Sequence, residues 1–353
     1  MRLLLIFITF SFIFACSGQK QTLQPIKPLA PEPDGKYDSE FPIQPTAPHL
    51  NRFARSIKLI STMTFYKAYQ FRFEDYITES DLKKPDIQKL STTEYIYQRP
   101  ASGTATLLSQ NDRELIFLTC NHIVNHPDTI ITYYSKKENS REKSPFVHSM
   151  SVKIKETMNI VGIQHASQPV LLAFEEKTDL AIIGVKLSRI PPAPLPVLNV
   201  PFGKAAQLEW GTFIYFLSYP LGKLMLSHSL VSQPNRDSAH NFLFNSSLTR
   251  GISGGIVLAL RDGVPNFEIV GIVSALGAQT QYFLKPDLNR VSWMFDTYQP
   301  YTGDIFIDQQ VGNNSGVIFA VSAENIVNFL KKNKRRIEEQ GFEFPAKFIR
   351  VVR

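Results

Sequence analysis

Three short segments carry the residue types that a hydroxyl nucleophile needs for acyl transfer. Leu118-Thr119-Cys120-Asn121-His122-Ile123-Val124 ends an apolar run on a histidine. Thr178-Asp179-Leu180-Ala181-Ile182-Ile183 sets a carboxylate at the mouth of another apolar run. Gly251-Ile252-Ser253-Gly254-Gly255 surrounds a serine with glycines. A serine hydroxyl is a weak nucleophile: it needs a base to take its proton, and the base needs a carboxylate to fix its tautomer and stabilise its cation. The glycines let the backbone turn sharply and aim the N–H groups of Gly251 and Ser253 at one point, the arrangement of an oxyanion hole. Alone, a histidine after a strand is usually structural, and an aspartate before one is often a turn residue. The order His122…Asp179…Ser253 on a β-rich chain gives the set its weight. It is not the Gly-x-Ser-x-Gly elbow, in which acid and histidine follow the serine.

Those residues need a rigid frame, and the patterning from about residue 52 onward is that of short strands. Apolar or alternating runs occupy 56–64, 104–108, 115–119, 129–134, 152–154, 159–163, 170–174, 180–185, 212–218, 242–244, 256–260, 267–274 and 316–321, with Gln110-Asn111-Asp112 as a hairpin turn. This predicts an all-β sandwich or a pair of barrels. Residues 65–100 are charged and contain Pro85, and read as a surface insertion. The five prolines of 190–201 read as a connector between two β lobes. One helix closes the chain. Ser322 is its N-cap, and Ile326, Phe329, Leu330 and Ile337 form its apolar stripe. Lys331, Lys332, Lys334, Arg335 and Arg336 crowd its last turns, and Gly341 is its stop.

The 353 residues, 43% hydrophobic and 20% charged, suffice for a sizeable core and exclude a disordered chain. The net charge of +7 comes without a long basic run or a stacking-aromatic module, so no nucleic-acid partner is expected. Two cysteines, Cys16 and Cys120, exclude a disulfide scaffold. Cys120 reads as a buried, inert thiol. His122 and His126 lie four apart but lack a third ligand and the His-Glu-x-x-His pattern, so neither metal nor cofactor is expected.

The first residues read as a processing segment. After Met1-Arg2, the apolar run 3–15 is too short to span a membrane but suits a signal-peptide core ending at Cys16. Ala15-Cys16 resembles a bacterial lipoprotein cleavage box, with Cys16 as the lipidated residue. Ordinary secretion is the alternative. Prolines 25, 28, 31, 33, 42, 45 and 48 make 16–50 an extended tether. The expected organisation is a signal peptide at 1–15, a tether at 16–50, a folded domain at 51–340 and a tail at 341–353. Within the domain, lobe one covers about 51–190, lobe two about 200–321, and the closing helix 323–340.

The motifs together resemble the chymotrypsin-fold, trypsin-like serine proteases, and among them the bacterial high-temperature-requirement branch. Thr119-Cys120-Asn121-His122 stands where that family has Thr-Ala-Ala-His. Asp179-Leu180-Ala181-Ile182 matches its Asp-Leu-Ala-(Val/Ile), and residues 251–255 match Gly-Asn-Ser-Gly-Gly with Ile252 for Asn. The resemblance implies two six-stranded antiparallel β-barrels with the catalytic cleft between them, and polypeptide substrates. His122 and Asp179 would come from the first barrel and Ser253 from the second. It further implies that Ser274 hydrogen-bonds Asp179 and that the backbone of Ser274, Ala275 and Leu276 pairs with an extended substrate. Ser247 would lie near the base of the primary pocket. Arg250 replaces a frequent Pro beside the oxyanion turn, and no PDZ module is expected after the closing helix. These features lead to a serine endopeptidase held by lipid in the bacterial envelope. The alternative is a catalytically silent, protease-like lipoprotein that binds peptides or partner proteins.

The anchor has a direct check. Wild-type protein is expected to partition into detergent. Cys16→Ser is expected to release a soluble protein or leave an unprocessed precursor. A correctly cut Cys16→Ser protein that still partitions as an integral membrane protein would exclude the lipid.

Overall fold

The computed structural model describes residues 33–135, 143–247, 251–276, 279–286, 305–312, 316–345 and 348. Arg250 and the Cys16 segment lie outside them. Among the described residues the first helix is α1 (Ala47–Ala54), and the first lobe begins with β1 (Ile57–Gln70), β2 (Thr93–Asn111) and β3 (Glu114–Cys120). The single-turn α2 (Asn121–Val124), β4 (Thr129–Ser135), β5 (Lys143–Ile160), β6 (Val170–Glu175) and β7 (Leu180–Lys186) complete that lobe. The second lobe begins with β8 (Phe213–Ser218), β9 (Met225–Gln233), β10 (Phe242–Asn245), β11 (Ile256–Leu260) and β12 (Phe267–Leu276). A two-stranded antiparallel sheet, β13 (Gln279–Pro286) and β14 (Ile305–Gly312), precedes β15 (Val317–Ser322) and the closing α3 (Ala323–Glu339).

The second lobe is a closed six-stranded barrel in the order β10-β15-β12-β11-β8-β9. Its interior is filled by Ile214, Phe216, Phe242, Phe244, Val257, Val270 and Ile318. The first lobe departs from the expected closed barrel. It is a seven-stranded antiparallel sheet, β4-β5-β1-β2-β3-β7-β6, a half-barrel whose outer strands do not pair with each other. Strand length explains this. β1, β2 and β5 run for 14, 19 and 18 residues and project beyond the lobe. β4 pairs with the outer part of β5, around Ser149–Val152, rather than near the end that meets β1 at Ile160. Residues 65–100 are therefore the arms of a long hairpin, with three short 3₁₀ turns at its tip. A small separate cluster of Tyr69, Phe71, Ile77, Ile87, Val147 and Met150 steadies that tip.

One core runs through both lobes. It joins Leu107, Leu118 and Ile183 of the first sheet to Ile256 and Ile272 of the barrel and to Ile326, Phe329 and Ile337 of α3. Ser322 caps α3 by accepting from Asn325 N–H at 3.2 Å. The proline-rich connector is bonded to both lobes: Leu198 N–H donates to Leu107 O at 2.9 Å, and Ile269 N–H donates to Pro201 O at 2.8 Å. Past α3, Phe342, Phe344 and Phe348 are buried, so the last described residues join the same core.

Ahead of α1, residues 33–46 form a strap on the second barrel rather than a free spacer. Asp38 N–H donates to Leu260 O (2.9 Å) and Phe213 N–H to Asp38 O (2.8 Å). Tyr37 is buried, its hydroxyl donates to Glu268 (2.6 Å) and accepts from Lys204 N–H (2.8 Å), and Arg261 lies 4.0 Å over its ring. Burial, then the Glu268 carboxylate, pushes the Tyr37 phenol pKa well up, so it stays a donor. Gly203 leaves the room: a Cβ there would lie 2.2 Å from the Tyr37 hydroxyl.

Tyr37→Phe removes the shorter of the two hydrogen bonds to the buried Glu268 Oε2, leaving it Arg261 alone, and strands the Lys204 N–H. It is expected to cost about 1–3 kcal/mol. Calorimetry should show the thermal midpoint lowered by several degrees, and an unchanged midpoint would deny the strap an energetic role.

Candidate active site

The site sits where the first sheet meets the barrel. β3 ends at Cys120, and α2 turns the chain so that His122 faces the cleft with half its ring exposed. Asp179, just ahead of β7, is largely covered. It has a left-handed backbone (φ 56°), a conformation that aspartate tolerates better than most residues. Its carbonyl accepts from Asn121 N–H (3.0 Å), and its own N–H donates to Glu176 O (3.2 Å).

The Asp179 carboxylate is a hub. Oδ1 accepts from the His122 backbone N–H at 2.9 Å, and Oδ2 lies 2.7 Å from His122 Nδ1. Ser274 Oγ, from the second lobe, donates to Oδ2 at 2.7 Å. Burial alone would raise the carboxyl pKa, but hydrogen bonding to His122, the histidine charge and the Ser274 hydroxyl outweigh it and leave the pKa lowered. The group is therefore an anion aimed at Nδ1, which leaves Nε2 free to take a proton.

Ser253 lies on the glycine turn between β10 and β11. Gly251 (φ 98°) and Gly254 (φ 83°) both need the left-handed region, and a Cβ on Gly254 would lie 1.9 Å from Thr104 O. Thr104 of β2 pins this turn from the other lobe. Its N–H donates to Ser253 O (2.8 Å), its hydroxyl donates to Gly251 O (3.0 Å), and the same hydroxyl accepts from Tyr219 N–H (2.9 Å). Ile252 is buried in the barrel core and ties the turn from below. Among the described residues, neither the Gly251 nor the Ser253 N–H has an intramolecular acceptor. The Ser253 hydroxyl donates to Ser274 O at 3.0 Å, and no hydrogen bond joins it to the His122 ring.

His122, Asp179, Ser253, Gly251 and Ser274 thus come together. The Ser274, Ala275 and Leu276 segment ends β12, with a register break between Val273 and Ala275 that leaves Ser274 bulged. Ser247 is exposed and is not among the residues lining the cleft. Thr104 is a site residue to which the sequence assigns no role, although Ser102-Gly103-Thr104-Ala105-Thr106 stands where the resembling family has its early Gly-Ser-Gly strand.

The cleft is about 810 Å³. It is walled by 61–63 of β1, 100–102 of β2 and 157–159 of β5, with His122, Gly251, Ser253 and Ser274 at its inner end. Cys120 Sγ, a His122 nitrogen and an Asp179 oxygen lie within 4.8 Å of one another. Burial, and then the Asp179 charge, push the thiol pKa well up, and Sγ donates to Val273 O at 3.1 Å. Asp179 and the His122 ring are already bonded to each other. His126 turns away to Glu156 (3.0 Å). No helix among the described residues is long and apolar enough to cross a membrane.

Residues 103–272, a little under half the chain, match the family described as the trypsin-like peptidase domain. The match takes in Thr104, His122, Asp179 and Ser253 and supports a peptidase of the chymotrypsin fold. No curated protein matches the chain significantly.

Thr104→Val keeps the β-branch and removes the hydroxyl, leaving Gly251 O and Tyr219 N–H unpaired. Peptide hydrolysis is expected to fall about 10–100-fold, mostly in kcat, because a turn that must present two N–H groups loses its brace. A folded Thr104→Val protein with wild-type kcat would remove Thr104 from this role.

Proposed function

We propose that the protein is a serine endopeptidase that hydrolyses polypeptides with Ser253, His122 and Asp179. The observation that carries this reading is the Asp179 carboxylate, bonded to both the backbone and the ring of His122 beside a glycine-framed serine. Rotation of the Ser253 hydroxyl off Ser274 O brings it to His122 Nε2, which takes the proton as Oγ attacks the scissile carbonyl. Gly251 and Ser253 N–H receive the oxyanion. His122 then protonates the leaving amine, and water repeats the sequence to release the acyl group. Asp179 stays ionised throughout, consistent with its lowered pKa. Polypeptides of the cell envelope are the proposed substrates, with the enzyme held at the membrane by lipid on Cys16. The support for that placement is the apolar run 3–15 ending in Ala15-Cys16.

One observation favours the second reading, a silent peptide-binding module: the Ser253 hydroxyl rests on Ser274 O rather than on the base. Catalytic hydrogen bonds often tighten only when substrate is bound, so this resting contact does not outweigh the Asp179–His122 geometry.

Ser253→Ala and His122→Ala are each expected to fold normally and to lose about 10⁴-fold or more in kcat on casein, because the triad acts as a unit. His126→Ala is expected to be nearly silent in the same assay. Casein cleavage by folded Ser253→Ala at the wild-type rate would overturn the assignment.

A further inference from the structure

The long hairpin of the first lobe leaves an open strand edge that starts at the reacting serine. β2 pairs with β1 in unbroken register from Gln70↔Thr93 to Ile57↔Thr106. On its other side β3 pairs with it only at Thr106 and beyond. Among the described residues, no strand covers that side of 93–105. The direction of its backbone groups follows from Thr104. The Thr104 N–H donates to Ser253 O and its carbonyl accepts from Thr119 Oγ1, both away from β1, whereas Leu107 N–H donates to Ser56 O on the β1 side. Outward and inward groups alternate along an antiparallel strand. Ser102, Gln98, Ile96 and Glu94 therefore present both N–H and C=O to the open edge, and Pro100 presents a carbonyl alone.

Open edges are usually short or blunted. Residues 94–102 make one about 30 Å long, carrying Tyr95 (44% exposed) and Ile96 (63% exposed). Tyr95 and Tyr97 lie against each other on one face, their ring centroids 6.0 Å apart. The edge is continuous with the cleft: Pro100 and Ser102 line the same cavity as His122 and Ser253.

We infer that this edge is an extended docking strand for the part of a substrate C-terminal to the scissile bond. The inference rests on the peptidase reading. His122 gives its proton to the leaving amine, so the leaving side of the substrate lies toward the histidine and the first lobe. Moving away from Ser253 along the edge means moving down in residue number on β2, from Ser102 to Glu94. A substrate leaving the site runs in its own N-to-C direction, so it lies antiparallel to β2, the arrangement that pairs its backbone with these groups. The occupant is thus an unfolded or extended polypeptide with eight or so residues beyond the cut. Tyr95 and Tyr97 favour apolar or aromatic side chains at alternate positions.

The test uses two peptides built on one extended casein segment around a single chosen bond. They share one acyl side; one ends two residues after the bond and the other eight. Binding to folded Ser253→Ala is read by fluorescence anisotropy, and kcat/KM is read on the wild type. The long peptide is expected to bind at least about tenfold tighter and to be cleaved with a kcat/KM higher by a similar factor. N-methylation of the long peptide at alternate residues beyond the bond should erase the gain with the protein unaltered. Gln98→Pro removes an outward N–H and no β1–β2 bond, and should also erase it while the short peptide is cleaved as before. Equal affinity for the two peptides overturns the inference. So does a gain that survives both N-methylation and Gln98→Pro, or a dimer that Gln98→Pro dissolves without touching the length dependence. Tighter binding of the long peptide without any cleavage would uphold the edge and sink the peptidase reading instead.

Discussion

The contact on which the site depends is the clasp of Thr104 on the turn at residues 251–255. One residue of the first lobe supplies a donor to Ser253 O, a donor to Gly251 O and an acceptor for Tyr219 N–H. It thereby fixes Ser253, the proposed nucleophile, against β2, whose partner β3 leads to His122, the proposed base. A hydrogen-bond clasp fixes direction as well as distance, which an apolar interface alone does not, and a misplacement of about 1 Å can cost a catalytic site about 100-fold. The shared core beneath, from Leu118 and Ile183 across to Ile256 and Ile272, makes the clasp rigid. Gly254 has to be glycine because the turn comes that close to Thr104 O.

Asp179 repeats the logic from the other direction. It belongs to the first lobe but receives the Ser274 hydroxyl from the second, so the histidine is oriented by groups on both sides of the cleft. Ser274 has two tasks: its hydroxyl bonds the carboxylate and its carbonyl holds the resting serine. A bulge in β12 at this point turns both groups toward the site. The cleft is wide on the side of the first lobe because β1, β2 and β5 are long, and among the described residues the same length leaves one edge of 93–105 unpaired.

What could be read from the sequence was what has a local signature. The three motif segments are short and contain the groups they position, and they lie together in the structure. The Ser322 cap and the stripe Ile326, Phe329, Leu330 and Ile337 likewise mark α3 without ambiguity. The rest depends on distant partners. β9 escaped because Leu226 and Leu230 lie exposed, so its pattern carries no burial period. The arms of the long hairpin looked like an insertion because the outer half of β2 faces water and has a polar composition. The strap at 33–46 is rich in proline, and only Gly203 and Glu268, more than a hundred and sixty residues away, give Tyr37 a place to go. Closure of the first lobe could not be judged from strand number, since it turned on strand length.

The proposed chemistry requires that His122 and Asp179 activate Ser253. A fluorophosphonate probe reacts with a serine only when a base takes its proton, so labelling of the purified protein, followed by mass mapping of the adduct, tests that claim directly. Stoichiometric labelling on Ser253 that disappears in His122→Ala is the expected result. A folded protein that takes no label, or one labelled on another residue, would contradict it.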